Sequence, residues 1–119
     1  MATPKLIRHE SVNPAERAPG ITVFSMVDEG TGATQLSSGM VSYAPGASIA
    51  THHHNAEETM IVIEGGGILV LQGEEYRLKP NDAVFVTPGA NHRLINDGER
   101  PFKIVWTYAT IHVVTTFVG

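Results

Sequence analysis

The stretch of sequence that decides the fold is residues 46–65, which read GASIATHHHNAEETMIVIEG. Three consecutive histidines, His52 to His54, are followed by a predicted turn at Asn55-Ala56 and by Glu58, which opens an apolar run. Side chains alternate across a β-strand, so His52 and His54 are predicted to point to one face and His53 to the other. The Glu58 carboxylate can return to the same face from the next strand. The pattern therefore predicts two imidazoles and a carboxylate that converge.

A second stretch, residues 81–96 with the sequence NDAVFVTPGANHRLIN, supplies a further histidine. His92 follows a predicted turn at Pro88–Asn91 and begins another strand. Three neutral imidazoles and one carboxylate suit one divalent transition metal ion per chain, namely Fe, Mn, Co, Ni, Cu or Zn. On a six-coordinate ion these four ligands leave positions open for substrate, which is typical of a catalytic site. The alternative is a solvated run of surface histidines that binds no ion.

The rest of the chain is predicted to be almost entirely β. Short runs rich in β-branched and aromatic residues alternate with glycine, proline and asparagine turns at intervals of roughly 8–12 residues. Many short strands joined by tight turns are typical of an all-β sandwich or barrel. The predicted strands are Ile21–Asp28, Gln35–Tyr43, Ser48–His52, Thr59–Glu64, Gly67–Leu71, Glu75–Leu78, Ala83–Thr87, His92–Asn96, Phe102–Ala109 and Ile111–Val118.

Length and composition narrow the class of protein. The 119 residues suffice for one domain, in which residues 1–20 are predicted to be an arm or edge strand and residues 21–119 a single barrel. The absence of cysteine excludes disulfides, zinc ribbons, iron–sulfur clusters and a cysteine nucleophile. A net charge of −4 argues against a nucleic-acid partner and an anionic membrane surface. Neither a signal peptide nor an apolar run of about 18 residues is evident, so a cytoplasmic protein is expected.

The two histidine-containing stretches resemble the motifs of the cupin superfamily. Every position of the first motif matches, at Gly46, His52, His54, Glu58 and Gly65. The second motif matches at Gly89, His92 and Asn96. Asn81 and Thr87 depart from its first glycine and its proline, but asparagine tolerates a left-handed backbone and can replace that glycine at modest cost.

The resemblance implies an all-β double-stranded β-helix, or jelly-roll barrel, with a metal ion in its interior. The implied ligands are His52, His54, Glu58 and His92. Cupins commonly pair through their sheets, so the resemblance also implies a homodimer. The uncharged tail Ile111–Val118 fits this expectation, because an apolar strand must be covered by its own barrel or by a partner chain.

Strand alternation predicts which other side chains face the site. Met60 and Val62 share the orientation of Glu58, and Leu94 shares that of His92. Trp106 and Tyr108 share one face of the run Phe102–Ala109 and could form an aromatic wall for a substrate. The alternative for all five is ordinary packing in the core or at a dimer interface.

Two functions remain open. The first is a metal-dependent enzyme that acts on a small intracellular metabolite by Lewis-acid or oxygen-activating chemistry. The resemblance implies dioxygenase, decarboxylase, isomerase or sugar-acid cyclisation chemistry without choosing among them. The second is a non-catalytic module that binds a small ligand through the metal. In both cases the expected partner is a small molecule.

Overall fold

The computed structural model describes residues 3–119 as eleven β-strands and two three-residue 3₁₀ turns, His9–Ser11 and Glu29–Thr31. The strands are β1 Ala15–Ala18, β2 Ile21–Val27, β3 Ser37–Tyr43, β4 His52–His54, β5 Glu58–Glu64, β6 Gly67–Leu71, β7 Glu74–Leu78, β8 Ala83–Val86, β9 His92–Ile95, β10 Phe102–Tyr108 and β11 Thr115–Phe117. The first two residues of the predicted arm at 1–20 lie outside the described range. Nothing in that range forms a helix that could cross a bilayer.

The strands form two antiparallel sheets. The six-stranded sheet has the order β1-β2-β3-β10-β5-β8, and the five-stranded sheet has the order β11-β4-β9-β6-β7. Neighbours such as β3 and β10, or β4 and β9, are distant in sequence, as a jelly roll requires. The predicted all-β fold class is confirmed.

The core lies between the sheets and follows strand alternation. In β5, residues 58, 60 and 62 are buried, whereas residues 59, 61 and 63 are exposed. Burial of one face fixes the register, because a slip of one residue would expose the whole apolar set. The buried apolar side chains are Ile21, Tyr43, Ile49, Met60, Val62, Leu69, Leu78, Val84, Val86, Ala90, Leu94, Phe102 and Ile104.

Asn96, the last residue of the second motif, ties three segments together beneath the core. Its side chain is fully buried, and its Nδ2 donates hydrogen bonds to the carbonyl oxygens of Tyr43, at 2.9 Å, and Arg100, at 2.7 Å. Its Oδ1 accepts a hydrogen bond from the backbone N–H of Gly98. The buried amide is therefore satisfied and holds the loop before β10 against β3.

Gly39 in β3 determines where the indole of Trp106 lies. The two residues are cross-strand partners, and a Cβ built on Gly39 would come within 2.5 Å of Cζ2 of Trp106. It would also clash with the backbone carbonyl of Phe24. Only glycine leaves room for the ring to lie across the strand.

Several strand boundaries differ from the sequence prediction. The predicted strand Ser48–His52 is wrong, because the regular strand is His52–His54 and Ser48 makes only an isolated bridge to Ile95. The tail Ile111–Val118 was predicted to be one strand, but only Thr115–Phe117 is regular and pairs with His52–His54. The pairing of β4 with β11 sets the bounds of both strands. Because the two strands are far apart in sequence, no local pattern reveals this pairing. Asn81 has a φ of +78°, as expected of the asparagine that replaces the motif glycine.

Candidate metal centre

Three buried histidines from two neighbouring strands converge. His52 and His54 lie on the same face of β4, and His92 on β9 is the cross-strand partner of His52. Their exposed fractions are only 6%, 4% and 2%, respectively. One ring nitrogen of each lies within 4.8 Å of those of the other two, so the three could hold a metal ion.

Hydrogen bonds fix the ring orientations. Nδ1 of His52 lies 2.8 Å from the carbonyl oxygen of Ala50, and Nδ1 of His92 lies 2.9 Å from that of Ala90. A carbonyl only accepts, so each Nδ1 carries the hydrogen and each neutral ring presents a lone pair at Nε2. Nδ1 of His54 pairs with Oγ1 of Thr115 at 3.0 Å. Such outer partners orient imidazoles for metal coordination.

Glu58 adds a carboxylate oxygen to this cluster. Its Oε1 lies 3.5 Å from Nε2 of His54 and 3.4 Å from Nε2 of His92. The same atom is buried and has no hydrogen-bond partner among residues 3–119. A buried carboxylate oxygen without a donor destabilises a fold, and a cation at this point would remove the cost. The donor set therefore fits a divalent transition metal ion.

In the metal-free cluster, the pKa values of the three histidines are shifted in different directions. Burial, helped by the neighbouring His52 and His92, lowers the pKa of His54 to about 3. Burial likewise lowers the pKa of His52. Burial acts downward on the pKa of His92 too, but the Glu58 carboxylate and the Ala90 carbonyl outweigh it and the net shift is upward. Two of the three imidazoles are thus neutral near pH 7, and His92, beside Glu58, is the one that takes up a proton first as the pH falls.

A cavity of about 310 Å³ opens beside the cluster, and its wall includes His52, His54, Glu58 and His92. Of the five pocket residues predicted from strand alternation, four line it: Met60, Leu94, Trp106 and Tyr108. Val62 does not, because it is only 1% exposed and packs in the core. The volume lies at the lower end of the range typical of small-molecule sites.

The aromatic wall is continuous with the histidines. The ring centroids of Trp106 and Tyr108 are 5.3 Å apart, and those of Tyr108 and His54 are 4.9 Å apart. The Tyr108 hydroxyl lies 3.3 Å from Nε2 of His54. Burial and the charge of Glu58 raise the pKa of Tyr108 above its usual range. The hydroxyl therefore stays protonated and can donate a hydrogen bond.

The C-terminal segment forms a wall that the sequence did not predict. Ile111, Val113 and Thr115 line the cavity, whereas Val114 and Phe117 are more than half exposed. The apolar character of the tail was the available signal: it predicted covering by the barrel or by a partner chain, and it fitted the expected homodimer. Arg17 and Tyr43 are among the further lining residues that lie outside the predicted set.

His53 points away from the cluster, as strand alternation predicts. Its Nδ1 pairs with Oδ1 of Asn91 at 3.0 Å on the outer side of the sheet. The run of three histidines is therefore two cluster members separated by an outward-facing residue.

Comparisons with known proteins agree with this description. The family model described as "Cupin domain" matches residues 39–108. The tetracenomycin polyketide synthase protein TcmJ of Streptomyces glaucescens is 36% identical over 84% of this chain and 68% of its own length. The polyketide cyclase RemF from Streptomyces resistomycificus superimposes with a TM-score of 0.86 at 22% identity, over 98% of this chain and 87% of RemF. A salicylate 1,2-dioxygenase from Pseudoaminobacter salicylatoxidans, solved with gentisate, gives a TM-score of 0.77 at 23% identity, over 89% of this chain and 31% of its own.

Proposed function

The chain belongs to the cupin family, and from this membership we propose that it is a metal-dependent enzyme acting on a small planar molecule in its cavity. The observation that carries the proposal is the unpartnered Oε1 of Glu58, buried among three convergent histidines in the cavity wall. A purely structural barrel gains nothing from a buried carboxylate oxygen without a hydrogen-bond donor, because that oxygen lowers its stability. The arrangement is instead what a cation site requires.

The proposed ligands of the ion are His52, His54, His92 and Glu58, with Fe, Mn, Co, Ni, Cu or Zn as candidates. The ion would supply Lewis acidity toward a substrate oxygen and, with a redox-active metal, a means of activating dioxygen. The hydrogen bonds of the three Nδ1 atoms hold the rings in place before any ion binds.

The chain's own side chains would bind and orient the substrate. Trp106 and Tyr108 offer a wall on which a planar molecule can stack. The protonated Tyr108 hydroxyl, close to His54, can donate a hydrogen bond to a substrate oxygen. Met60 and Leu94 keep the neighbouring surface apolar, and the exclusion of water strengthens the electrostatic interactions of the site.

The substrate class that we propose is an enolisable polyketone or a phenol derived from one. The likeness to TcmJ supports this class, because that protein is named for a polyketide synthase. The proposed reaction is ring closure by aldol addition. A carbon between two carbonyls loses a proton and bonds to a third carbonyl carbon, whose oxygen takes up a proton. The Tyr108 hydroxyl would favour these steps by donating a hydrogen bond to the oxygen on which negative charge develops.

The decisive experiment measures metal content first and chemistry second. Protein made without a histidine tag would be reconstituted with each candidate metal, and the expected stoichiometry is about one ion per chain. His54→Ala is expected to lose the ion, while His53→Ala, whose ring faces outward, retains it. Wild-type stoichiometry near zero, or equal stoichiometry in both variants, contradicts the proposal.

The metal-loaded protein would then be incubated with linear polyketones, diketones, catechols and keto acids, and products and oxygen uptake would be followed. Cyclised product without oxygen uptake supports the proposed reaction. Oxygen uptake with catechols instead indicates a dioxygenase. Binding without turnover by any metal-loaded form indicates a non-catalytic metal-dependent binding module.

We also propose that the chain forms a homodimer through the outer face of the six-stranded sheet. A cross-strand row of apolar residues runs over this face from β2 to β5, through Phe24, Met40, Val105 and Ile61. Phe85 on β8 extends it, and Ile61 and Phe85 are 45% and 57% exposed. Contiguous exposed apolar surface of this kind marks an interaction site.

A further inference from the structure

Arg17 occupies an exceptional position in the edge strand β1. The register pairs Glu16 with Thr22 and Ala18 with Ile21, so Arg17 is an extra residue without a partner on β2. This is a β-bulge. Strand alternation gives Arg17 the direction of Ala15, whose partner Val23 lines the cavity, and the bulge adds Ala18 to the same side opposite Ile21. Here Arg17 becomes part of the cavity wall.

The guanidinium is unpaired where it lies. Among residues 3–119, no carboxylate forms an ion pair with Arg17, and its side chain makes no hydrogen bond to another side chain or to the backbone. It is also the only lysine or arginine among the described residues that line the cavity. Asp28 lines the same cavity, but its carboxylate already accepts hydrogen bonds from Ser25 Oγ, at 2.9 Å, and from the backbone N–H of Thr31. An anion entering the cavity would therefore find five N–H donors free.

We propose that Arg17 is an anchor for the carboxylate of the substrate, so that the molecule taken up is a carboxylic acid. The inference rests on the proposed function, since it orients the substrate with its carboxylate toward Arg17 and another oxygen toward the histidines. The planar fork of arginine matches a carboxylate with two parallel hydrogen bonds, which gives direction as well as affinity.

The positive charge of Arg17 acts on groups inside the cavity, which supports its assignment as an anchor. Burial is the main influence on the pKa values of Tyr43, His54 and Tyr108, but the positive charge of Arg17 acts downward on each of them. The guanidinium thus acts across the cavity on the same groups that face the proposed ion. Arg17 itself is exposed, so it stays hydrated until a ligand arrives, and its contribution is expected to be moderate and salt-dependent.

The test compares two ligands of the same shape and different charge. The probes are 1-hydroxy-2-naphthoate and its neutral carboxamide, and binding is followed by quenching of Trp106, the single tryptophan of the chain, in the cavity wall. Wild-type protein is expected to prefer the carboxylate by about tenfold, the size of one charge-assisted hydrogen bond. Arg17→Gln is expected to weaken naphthoate binding to the level of the amide and to leave amide binding unchanged.

Two further variants sharpen the result. Arg17→Lys keeps the charge without the fork and is expected to retain part of the preference. Arg100→Gln removes an equal charge outside the cavity and is expected to behave as wild type. A wild-type preference in Arg17→Gln, no preference in the wild type, or no binding of either probe overturns the proposal.

Failure of the anchor and failure of the metal site are separated by a cobalt titration of the same samples. Arg17→Gln is expected to bind Co²⁺ as the wild type does. If the wild type binds no Co²⁺ but the carboxylate preference is present and depends on Arg17, the anchor stands and the proposed metal-dependent function falls. If Co²⁺ binds and the preference does not depend on Arg17, the anchor alone is wrong.

Discussion

Thr115 on β11 pairs with Nδ1 of His54 at 3.0 Å, so the C-terminal segment holds one of the three clustered histidines from outside. We predict that Thr115→Val lowers metal affinity by about tenfold, because outer partners of ligating histidines contribute roughly that much. Thr115→Ser, which keeps the hydroxyl, should restore it. The measurement is a titration with Co²⁺ followed by visible absorption. Wild-type affinity in Thr115→Val would mean that the hydrogen bond does not orient the ring.

Glu58→Gln is predicted to change stability in opposite directions with and without metal. In the metal-free protein, at a pH above the pKa of His92, that imidazole is neutral and its Nε2 cannot donate to Glu58; the substitution then removes the charge on a buried oxygen that lacks a donor, so the free energy of unfolding should rise by about 1 kcal/mol. In the presence of Zn²⁺ the variant should be less stable than the wild type, because binding to the native state stabilises it in proportion to affinity. Thermal unfolding of both proteins in EDTA and in Zn²⁺ gives the four values. A loss of stability in EDTA would contradict the role assigned to Oε1.

Metal binding is predicted to release about one proton at pH values below the pKa of His92. A proton and a metal ion compete for the same Nε2 atom, so affinity falls as pH falls through the pKa of any ligand that is protonated. The pKa values of His52 and His54 are lowered, that of His54 to about 3, so no proton on these two imidazoles competes with the metal ion near neutral pH. The pKa of His92 is raised, so a proton on this imidazole is the one that competes with the metal ion.

The logarithm of the affinity should accordingly rise with pH at a slope of about one below the pKa of His92, and then level off. Calorimetric titration of Zn²⁺ in buffers of different ionisation enthalpy counts the protons directly. A release of two or three protons would show that the imidazoles titrate independently of their burial.

Gly39→Ala is predicted to displace Trp106 and to destabilise the fold by about 1–3 kcal/mol, the usual cost of forcing a methyl group into a filled space. The emission maximum of Trp106 should move at the same time. Gly98→Ala is the matched control, because the nearest atom to its added Cβ is 3.5 Å away. Chemical denaturation followed by fluorescence measures both quantities, and equal stabilities of the two variants would refute the prediction.

Phe85→Asp is predicted to convert the proposed homodimer to a monomer, because it introduces a charge on the exposed apolar face of the six-stranded sheet. Light scattering coupled to size-exclusion chromatography measures the mass. Tyr76→Asp is a control with a similarly exposed aromatic ring, at 48%, on the other sheet. A monomeric wild type, or a dimeric Phe85→Asp, would contradict the interface.

Strand alternation predicted the inward orientation of His52, His54 and Glu58, because burial of one face leaves a strand only one register. The rule could not be applied to Arg17, because residues 1–20 were expected to be an arm or edge strand with no known partner to set which way its side chains face. It is also incomplete for Val62, which faces inward but lies behind the cavity in the core. The bounds of β4 and β11 escaped prediction because the two strands define each other across about sixty residues of intervening chain.

The pairing of His52 with His92 makes the cluster depend on a single cross-strand register. A slip of one residue between β4 and β9 would turn their histidines to opposite faces and scatter the donor atoms. An ion that needs all three imidazoles would bind only chains in which the strands have paired correctly, and mass action would draw mispaired chains toward that arrangement. Metal binding would then select for the correct strand register during folding, in addition to any role of the ion in chemistry.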